Sequence, residues 1–268
     1  MSQLTPTVRL YQMRVQMRVQ IAVQIAVAAA ALLVAPLHLV GAQTTESVLA
    51  KYIVARGGRA KLAAMHTLRT TAHITIGQAK GTVTINQARP TLMRVDMMIV
   101  GNDYARGYDG SKAWQALIAD TGGVQIMPPL DTRNFAIEAN FDGPLLDPAA
   151  GHNKATLMGR AMMDGKNAYK VQVILNGGGG YVDYYYLDPA TYLPVVWEGT
   201  RLVNGQMLTF TTHFQAYKTF AGYPFPVKIE TTTTGTPPQS MTVDNVEINP
   251  TMGAKEFNIP VFAKRKAR

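Results

Sequence analysis

The side chains that could carry out catalysis are scattered along the chain and form no recognisable constellation. His66, His73, His152 and His213 are far apart and show neither the HxH nor the HExxH spacing of a metal site. No GxSxG motif marks a nucleophilic serine. The sequence therefore predicts no catalytic residue, no bound metal and no cofactor, and we expect a non-enzymatic function.

Several residues that resemble parts of known sites lie in segments that turns explain better. Asp103 and Asp109 could form a pair of carboxylates, but they lie in the short sequences NDY and YDG. Ser111 belongs to the same DGS turn. Gly177–Gly180 resembles a phosphate loop only in composition, because the strand-like sequence YVDYYYL follows it in place of a helix. We interpret all of these segments as turns.

Aromatic and methionine-rich stretches leave two interpretations open. The tyrosines of residues 181–192 could stack on bases or sugars, or could reflect the propensity of tyrosine for strands, which we favour. Methionines cluster in two places, as Met93, Met97 and Met98 and as Met158, Met162 and Met163. Because methionine is flexible and polarizable, these residues could fill a core or form an adaptable lining for hydrocarbon.

The first 42 residues have the pattern of a secretory signal peptide. Three arginines precede the apolar run Ile21–Ala35, and small residues precede a predicted cut between Ala42 and Gln43. An uncleaved anchor is the alternative, although the run is shorter than the roughly 20 residues that a membrane span needs. The repeated tetrapeptide MRVQ leaves the true start methionine open. We expect secretion into the periplasm.

Composition excludes some classes of protein. Hydrophobic residues make up 47% of the chain and charged residues 16%, so the chain can bury a large core. There is no cysteine, which excludes disulfides and thiol catalysis. The net charge of +9 falls to +6 without residues 1–42, because three of the 26 basic residues and none of the 17 acidic residues lie there. A charge of this size suits anionic lipid and does not require a nucleic-acid partner.

Helical periodicity occurs in two regions. Residues 46–56 and 131–141 are predicted to form helices, the second with Asp131 or Thr132 as its N-cap, and residues 59–66 a short additional turn of helix. We expect the apolar faces of these helices to cover a sheet. The predicted covering residues are Val48, Leu49, Tyr52, Ile53, Phe135, Leu145 and Leu146.

The remainder of the chain alternates apolar and polar residues with the period of strands. About eleven strands separated by hairpin turns are predicted, which favours a meandering antiparallel sheet. Val243 and Val246 break the alternation, so a β-bulge is expected near Asp244-Asn245. One clear strand carries Met93, Val95, Met97 and Ile99. The alternation alone does not decide which face of the sheet these residues occupy.

Four stretches, in this order along the chain, resemble the LolA/LolB-like outer-membrane lipoprotein-sorting superfamily. They are VLAKYIVARGGRAKLAAMHTLRT, GYDGSKAWQ, YYLDPATYLPVVWE and VDNVEINPTMGAKEFNIP, and the resemblance runs from Glu46 to Val261. It implies a mainly β fold with an α lid: an incomplete antiparallel β-barrel of about eleven strands covered by helices. We expect one such half-barrel domain over residues 43–263, followed by a basic tail at 264–268.

The same resemblance implies a function in which the cavity shelters acyl chains of lipids or lipoproteins. Met93, Val95, Met97 and Ile99 would then line the cavity, and the covering residues named above would form its lid. The chain has no cysteine to lipidate, so it resembles a soluble carrier, and we expect a monomer. Two alternatives stay open: a sensor or scaffold that binds envelope proteins, and a hydrolase whose residues are not recognised.

Overall fold

The computed structural model describes residues 43–117, 123–149, 152–175, 180–203 and 205–260. Within this part the helices are α1 (Thr45–Ala55), α2 (Arg59–Ala63), α3 (Pro129–Glu138) and α4 (Gly143–Leu146), with a 3₁₀ turn at Ala254–Glu256. The strands are β1 (Thr67–Ile76), β2 (Ala79–Ala88), β3 (Leu92–Ile99), β4 (Asn102–Tyr108), β5 (Ala113–Leu117), β6 (Val124–Ile126), β7 (Lys154–Met163), β8 (Lys166–Leu175), β9 (Tyr181–Leu187), β10 (Pro194–Val203), β11 (Gln206–Phe220), β12 (Tyr223–Thr233) and β13 (Gln239–Ile248). The predicted signal peptide (1–42), the basic tail (264–268) and most of the glycine run lie outside the described residues.

All thirteen described strands form one antiparallel sheet with two free edges. Their order is β6-β5-β4-β3-β2-β1-β13-β12-β11-β10-β9-β8-β7, so two meanders are joined by the pairing of the first strand with the last. The edges are β6 and β7, and the sheet is open between them. The mainly β, helix-covered architecture predicted from the sequence is confirmed, with thirteen strands where about eleven were expected.

The chain segment between the two edge strands carries α3 and α4. Helix α3 packs on β4, β5 and β10, and α4 packs on β8 and on α1. Helix α1 also packs on the edge strand β7. Helices α1, α3 and α4 therefore lie against one side of the sheet, which we call the covered face. None of the described helices is both long and apolar enough to cross a bilayer.

Helix α1 has strong local start and stop signals. Thr44 is its N-cap: the Thr44 hydroxyl accepts from the Ser47 N–H at 3.1 Å, and the Thr44 N–H donates to the Ser47 hydroxyl at 3.0 Å. The chain leaves the helix through Gly57 and Gly58, which have φ values of 115° and 88° that other residues rarely adopt. Its buried residues are Val48, Tyr52 and Ile53.

Helix α3 begins earlier than predicted. Pro128 is its N-cap and Pro129 its first residue, so the expected N-cap at Asp131 or Thr132 is wrong. A proline in the first turn is favourable because the N–H groups there have no partner within the helix, and proline has no backbone N–H group that would need one. The Thr132 hydroxyl instead donates to the carbonyl oxygen of Met127, at 3.1 Å.

The bulge predicted in the last strand is confirmed. Thr71 pairs with Asn245 and the next residue, Ala72, pairs with Val243, so Asp244 is the extra residue. The phase slip in the apolar pattern therefore marks a real change of register.

The C-terminal segment covers part of the opposite face of the sheet. The Trp114 side chain is completely buried there, and its Nε1–H donates to the Phe257 carbonyl oxygen at 3.3 Å. The Arg94 guanidinium lies 5.7 Å from the Trp114 ring centroid and donates to the Glu256 carbonyl oxygen at 3.3 Å. Gly107 leaves room for the indole, since a Cβ at this position would lie 2.5 Å from the Trp114 ring. Strand β5 is thus packed on both faces.

Candidate ligand-binding face

The strand register decides which face of β3 is covered. Val95 lies opposite Arg106, and Met97 lies opposite Tyr104. The Arg106 guanidinium lies 4.8 Å from the ring centroid of Phe135 on α3. Because residues paired across strands point to the same side, the predicted lining residues of β3 face the helices.

The structure brings almost all of the predicted lining and lid residues into one hydrophobic cluster. Met93 and Val95 are buried in it, and Met97 packs against it, whereas Ile99 is half-buried and lies outside it. The predicted lid residues buried in the cluster are Val48, Tyr52, Ile53, Phe135 and Leu145. Leu49 and Leu146 pack against it. That these side chains bind or release a ligand stays a prediction.

The methionine clusters divide between core and surface. Met93 is buried, whereas Met98, on the same strand, points to the opposite side and is 51% exposed. Met158 and Met162 on the edge strand β7 are 54% and 63% exposed. Met163, in contrast, is half-buried and packs against a small cluster of Ala168, Tyr186 and Val196. Two of the three methionines of the second cluster therefore lie at the surface.

A pocket of about 380 Å³ opens at the margin of the covered face, along β3 to β6. Its described lining residues are Met97, Tyr104, Ala105, Arg106, Gln115, Ala116, Leu117, Gly123 and Gln125. Arg106 is the charged residue among them. Its Nη2 donates to Oε2 of Glu138 on α3 at 3.3 Å, while its buried Nε–H has no acceptor in the described part of the chain. This volume lies within the range of small-molecule sites.

A second, more open pocket of about 380 Å³ lies between α1 and the turn that joins β9 and β10. The Lys51 ammonium donates to the Tyr192 hydroxyl at 3.0 Å, and this hydrogen bond is the main cause of a lowered pKa for Tyr192. The Tyr192 ring stacks on Tyr169 with 5.6 Å between centroids. The groove combines exposed apolar surface, such as Val54, with one cation.

A buried ion pair occupies the covered face of β9 and β10, and it was not predicted from the sequence. Asp183 is completely buried, and its Oδ1 and Oδ2 accept from the Arg201 guanidinium at 2.7 and 2.9 Å. Oδ2 also accepts from Nε1 of Trp197 at 3.0 Å. The signal in the sequence was a lone aspartate between the apolar positions of YVDYYYL, because a buried charge requires a partner.

Aromatic rings surround this ion pair. The Tyr185 ring stacks on Trp197 with 5.8 Å between centroids, and the Arg201 guanidinium lies 5.1 Å from the centroid of Phe210. Burial, reinforced by the neighbouring Asp183 carboxylate, raises the pKa of Tyr185 well above its usual value. The tyrosine-rich segment forms a strand, as its propensity predicted, and Tyr185 is in addition buried in the core on this face.

Two aspartate turns have the same construction. The Asp109 side chain accepts from the N–H groups of Ser111 and Lys112, and the Asp188 side chain accepts from the N–H of Thr191. Burial raises the pKa of each carboxyl, but backbone N–H donors, a hydroxyl donor and a nearby lysine together outweigh it, so both pKa values lie below their usual value. The interpretation of Asp109 and Ser111 as turn residues agrees with this geometry.

Two histidines, His73 and His213, lie beside carboxylates. Nδ1 of His73 lies 2.8 Å from Asp244, and Nδ1 of His213 lies 3.1 Å from Asp164. No group of three potential metal ligands occurs within the part of the chain that the structure describes.

Solved structures of other proteins share the fold of this chain. A LolA superfamily protein from Nitrosomonas europaea superposes with a TM-score of 0.53 at 14% identity, covering 80% of this chain and 97% of that one. A DUF1329 family protein from Desulfovibrio piger gives 0.53 at 10% identity, with 80% and 97% covered. The chain has the LolA-like fold.

A third solved structure agrees with this assignment. A Vibrio parahaemolyticus domain named for outer-membrane lipoprotein sorting has a TM-score of 0.51 at 13% identity, covering 80% of this chain and 96% of that one. No protein-family model matches the chain, and no curated protein matches it in sequence. The resemblance drawn from the four sequence stretches is thus confirmed by three-dimensional similarity, with the LolA-like fold as what is shared.

Proposed function

We propose that this protein is a non-catalytic periplasmic carrier that binds the acyl chains of lipids or lipoproteins between its sheet and its helices. The observation that carries the proposal is the covered face, where β3 and the apolar sides of α1, α3 and α4 meet in one hydrophobic cluster. The LolA-like fold supports it, because one structure with this fold is named for outer-membrane lipoprotein sorting.

Few polar contacts tie α3 to the sheet. The Asn134 amide donates to the Leu202 carbonyl oxygen at 2.9 Å, and Glu138 accepts from Arg106 at 3.3 Å. The Arg133 guanidinium lies 5.8 Å from the Tyr181 ring centroid, and the buried residue of the helix is Phe135. Non-directional apolar contacts can be exchanged for contacts with a ligand, so α3 is suited to move when a hydrocarbon chain enters.

The free energies favour such an exchange. Burial of an acyl chain gains about 0.8 kcal/mol per CH₂, which for about 16 carbons is on the order of 10 kcal/mol. Exposing Phe135 and Leu145 would cost about 1.5–3 kcal/mol each. The difference between this gain and this cost is on the order of several kcal/mol, which can offset the entropic cost of ordering the ligand.

A size-matched pair of variants tests the proposal. Met97 faces the covered side and lines the marginal pocket, whereas the adjacent Met98 faces the other side and is 51% exposed. Met97→Trp should fill the pocket and weaken binding of the neutral fluorescent probe N-phenyl-1-naphthylamine about tenfold or more, and Met98→Trp should leave it unchanged. Circular dichroism of both variants checks that the fold is retained.

Protein purified from its own envelope provides the direct test. Native mass spectrometry and lipid extraction should detect bound lipid or lipoprotein acyl chains. If repeated preparations contain none and the probe does not bind the wild-type protein, the carrier proposal fails.

Location and assembly are part of the same proposal. We infer that residues 1–42 are removed between Ala42 and Gln43 on export and that the remaining domain is a monomer. N-terminal sequencing of protein from the periplasmic fraction should begin at Gln43, and light scattering should give the mass of one chain.

A protein-binding scaffold is a second candidate, favoured by the free edge strand β7. This strand exposes Met158 and Met162, although its Leu157 N–H already donates to the Thr45 hydroxyl at 2.8 Å. Replacing both methionines with lysine should abolish capture of envelope proteins if this surface binds them, while probe binding in the pocket stays intact. Unchanged capture would exclude β7 as the interface.

A further inference from the structure

The marginal pocket contains one cation with spare hydrogen-bonding capacity. Arg106 has five N–H donors. Its one described acceptor is Glu138, at 3.3 Å, and its ring contact is with Phe135. The Nε–H is buried and has no acceptor in the described residues. Because Glu138 accepts from only Nη2 among the described contacts, other N–H groups of this guanidinium remain for an acceptor that enters the pocket.

The present partner of Arg106 is easily replaced. Glu138 is 44% exposed, and the Arg106 side chain is 39% exposed. An ion pair of this exposure contributes little, because water and salt screen it. A carboxylate or phosphate fits the guanidinium with two parallel hydrogen bonds, which a single contact at 3.3 Å does not provide. Glu138 would remain hydrated after leaving Arg106.

Apolar side chains lie beside the guanidinium in the same pocket. Met97, Tyr104 and Leu117 all line it, and Met97 packs against the hydrophobic cluster that holds Met93 and Val95. A ligand with its charged end at Arg106 can therefore extend a hydrocarbon chain along β3 towards the cluster.

We propose that Arg106 binds the anionic head group of a single-chain amphiphile, in competition with Glu138. The head group is a carboxylate or a phosphate, and the site prefers such ligands to neutral amphiphiles of equal chain length. This inference rests on the proposed function, since it assigns a ligand class to the same covered face.

The test compares three ligands that differ only in their head groups. Dodecanoate, dodecyl phosphate and dodecanol are titrated below their micelle and solubility limits at pH 8 against the protein with N-phenyl-1-naphthylamine bound. Wild-type protein should bind at least one anion about fivefold to tenfold more tightly than dodecanol. The two anions distinguish a fatty-acid site from a phospholipid site.

Variants of the ion pair separate competition from general stability. Glu138→Gln should tighten binding of the preferred anion by about threefold or more and leave dodecanol unchanged. Glu247→Gln is the matched control, because Glu247 is also 44% exposed and lies 3.6 Å from an arginine, Arg69. Arg106→Met should abolish the preference for anions, and Arg106→Lys, which keeps the charge, should retain part of it.

The outcomes distinguish this inference from the carrier proposal. Equal affinities for all three ligands, with no effect of Glu138→Gln, would overturn the role of Arg106 and leave the carrier proposal standing. Failure of every ligand and of the probe to bind wild-type protein would overturn both.

Discussion

Replacing the buried Asp183 with alanine removes an acceptor that three partly buried donors share. Two of these belong to the Arg201 guanidinium, at 2.7 and 2.9 Å, and the third is Nε1 of Trp197, at 3.0 Å. The Arg201 side chain is only 12% exposed, so water cannot replace the lost carboxylate without disturbing the core. The variant therefore leaves a buried positive charge uncompensated.

The expected loss is large compared with the stability of a domain. Breaking a buried ion pair by removing one partner costs about 3–5 kcal/mol. Typical domains are stable by about 5–15 kcal/mol, so Asp183→Ala should remove a large share of the free energy of unfolding. The double variant Asp183→Leu with Arg201→Met should recover much of the loss, because removal of both charges leaves neither one unpaired.

Urea denaturation followed by circular dichroism measures these differences. The control is Lys228→Ala, which removes the ion pair with Glu230 at 2.7 Å between side chains that are 50% and 42% exposed. That change should cost less than about 1 kcal/mol. A loss below about 1 kcal/mol for Asp183→Ala would refute the argument that burial makes this pair critical.

Three further predictions concern packing and pH. Gly107→Ala should destabilise the protein by about 1–3 kcal/mol in the same urea assay, because the Trp114 ring has no room to move. Gly253→Ala is the control and should be neutral, because a Cβ at this position would meet open space. The Phe257 side chain is buried, and its backbone carbonyl holds the Trp114 indole. Phe257→Ala should therefore cost about 3–5 kcal/mol and loosen this segment, so that Trp114 gains water and tryptophan emission shifts to longer wavelength. Unchanged emission would contradict a role of Phe257 in covering Trp114. Tyr185 keeps its proton in the folded state at a pH where the unfolded chain releases it, because its pKa is raised by burial. The free energy of unfolding should therefore fall as the pH rises above about 10. Tyr185→Phe should reduce that fall when urea denaturation is measured at pH 9 and 11.

Local patterns predicted most of the secondary structure. The bulge at Asp244 followed from the slip between Val243 and Val246, and helix α1 followed from its apolar spacing and the paired glycines. These features depend on residues a few positions apart, so their causes are visible in the sequence. The start of α3 was misplaced, because the first-turn proline competed with Asp131 as a start signal.

The two strands that were not predicted are the edges of the sheet. Strand β6 has only three residues, and β7 reads KATLMGRAMM without alternation. An edge strand has one neighbour and is less completely buried, so its side chains carry no strict apolar period. The predicted count of about eleven strands was therefore two too low, because it omitted the two edge strands β6 and β7.

The apolar residues of the candidate site could be predicted from the sequence, whereas its charged residues could not. Met93, Val95 and Met97 were chosen by alternation, and the structure places them near the predicted helix residues. The partners Arg106 and Glu138 are 32 residues apart, and no spacing rule connects them. Such pairs are created by strand order and helix placement, which the sequence pattern does not encode directly.

The sequence by itself determined the apolar periodicity of the strands, the positions of the turns and the apolar faces of the helices. These features arise from the steric and hydrogen-bonding preferences of neighbouring residues. Only the tertiary structure decided which side of β3 is covered, since alternation defines two faces and treats them alike. It also decided that Asp183 meets Arg201 and that β1 pairs with β13, because long-range contacts depend on how the whole sheet is ordered. The proposed function depends on that second kind of information, because a binding face exists only where distant segments pack together.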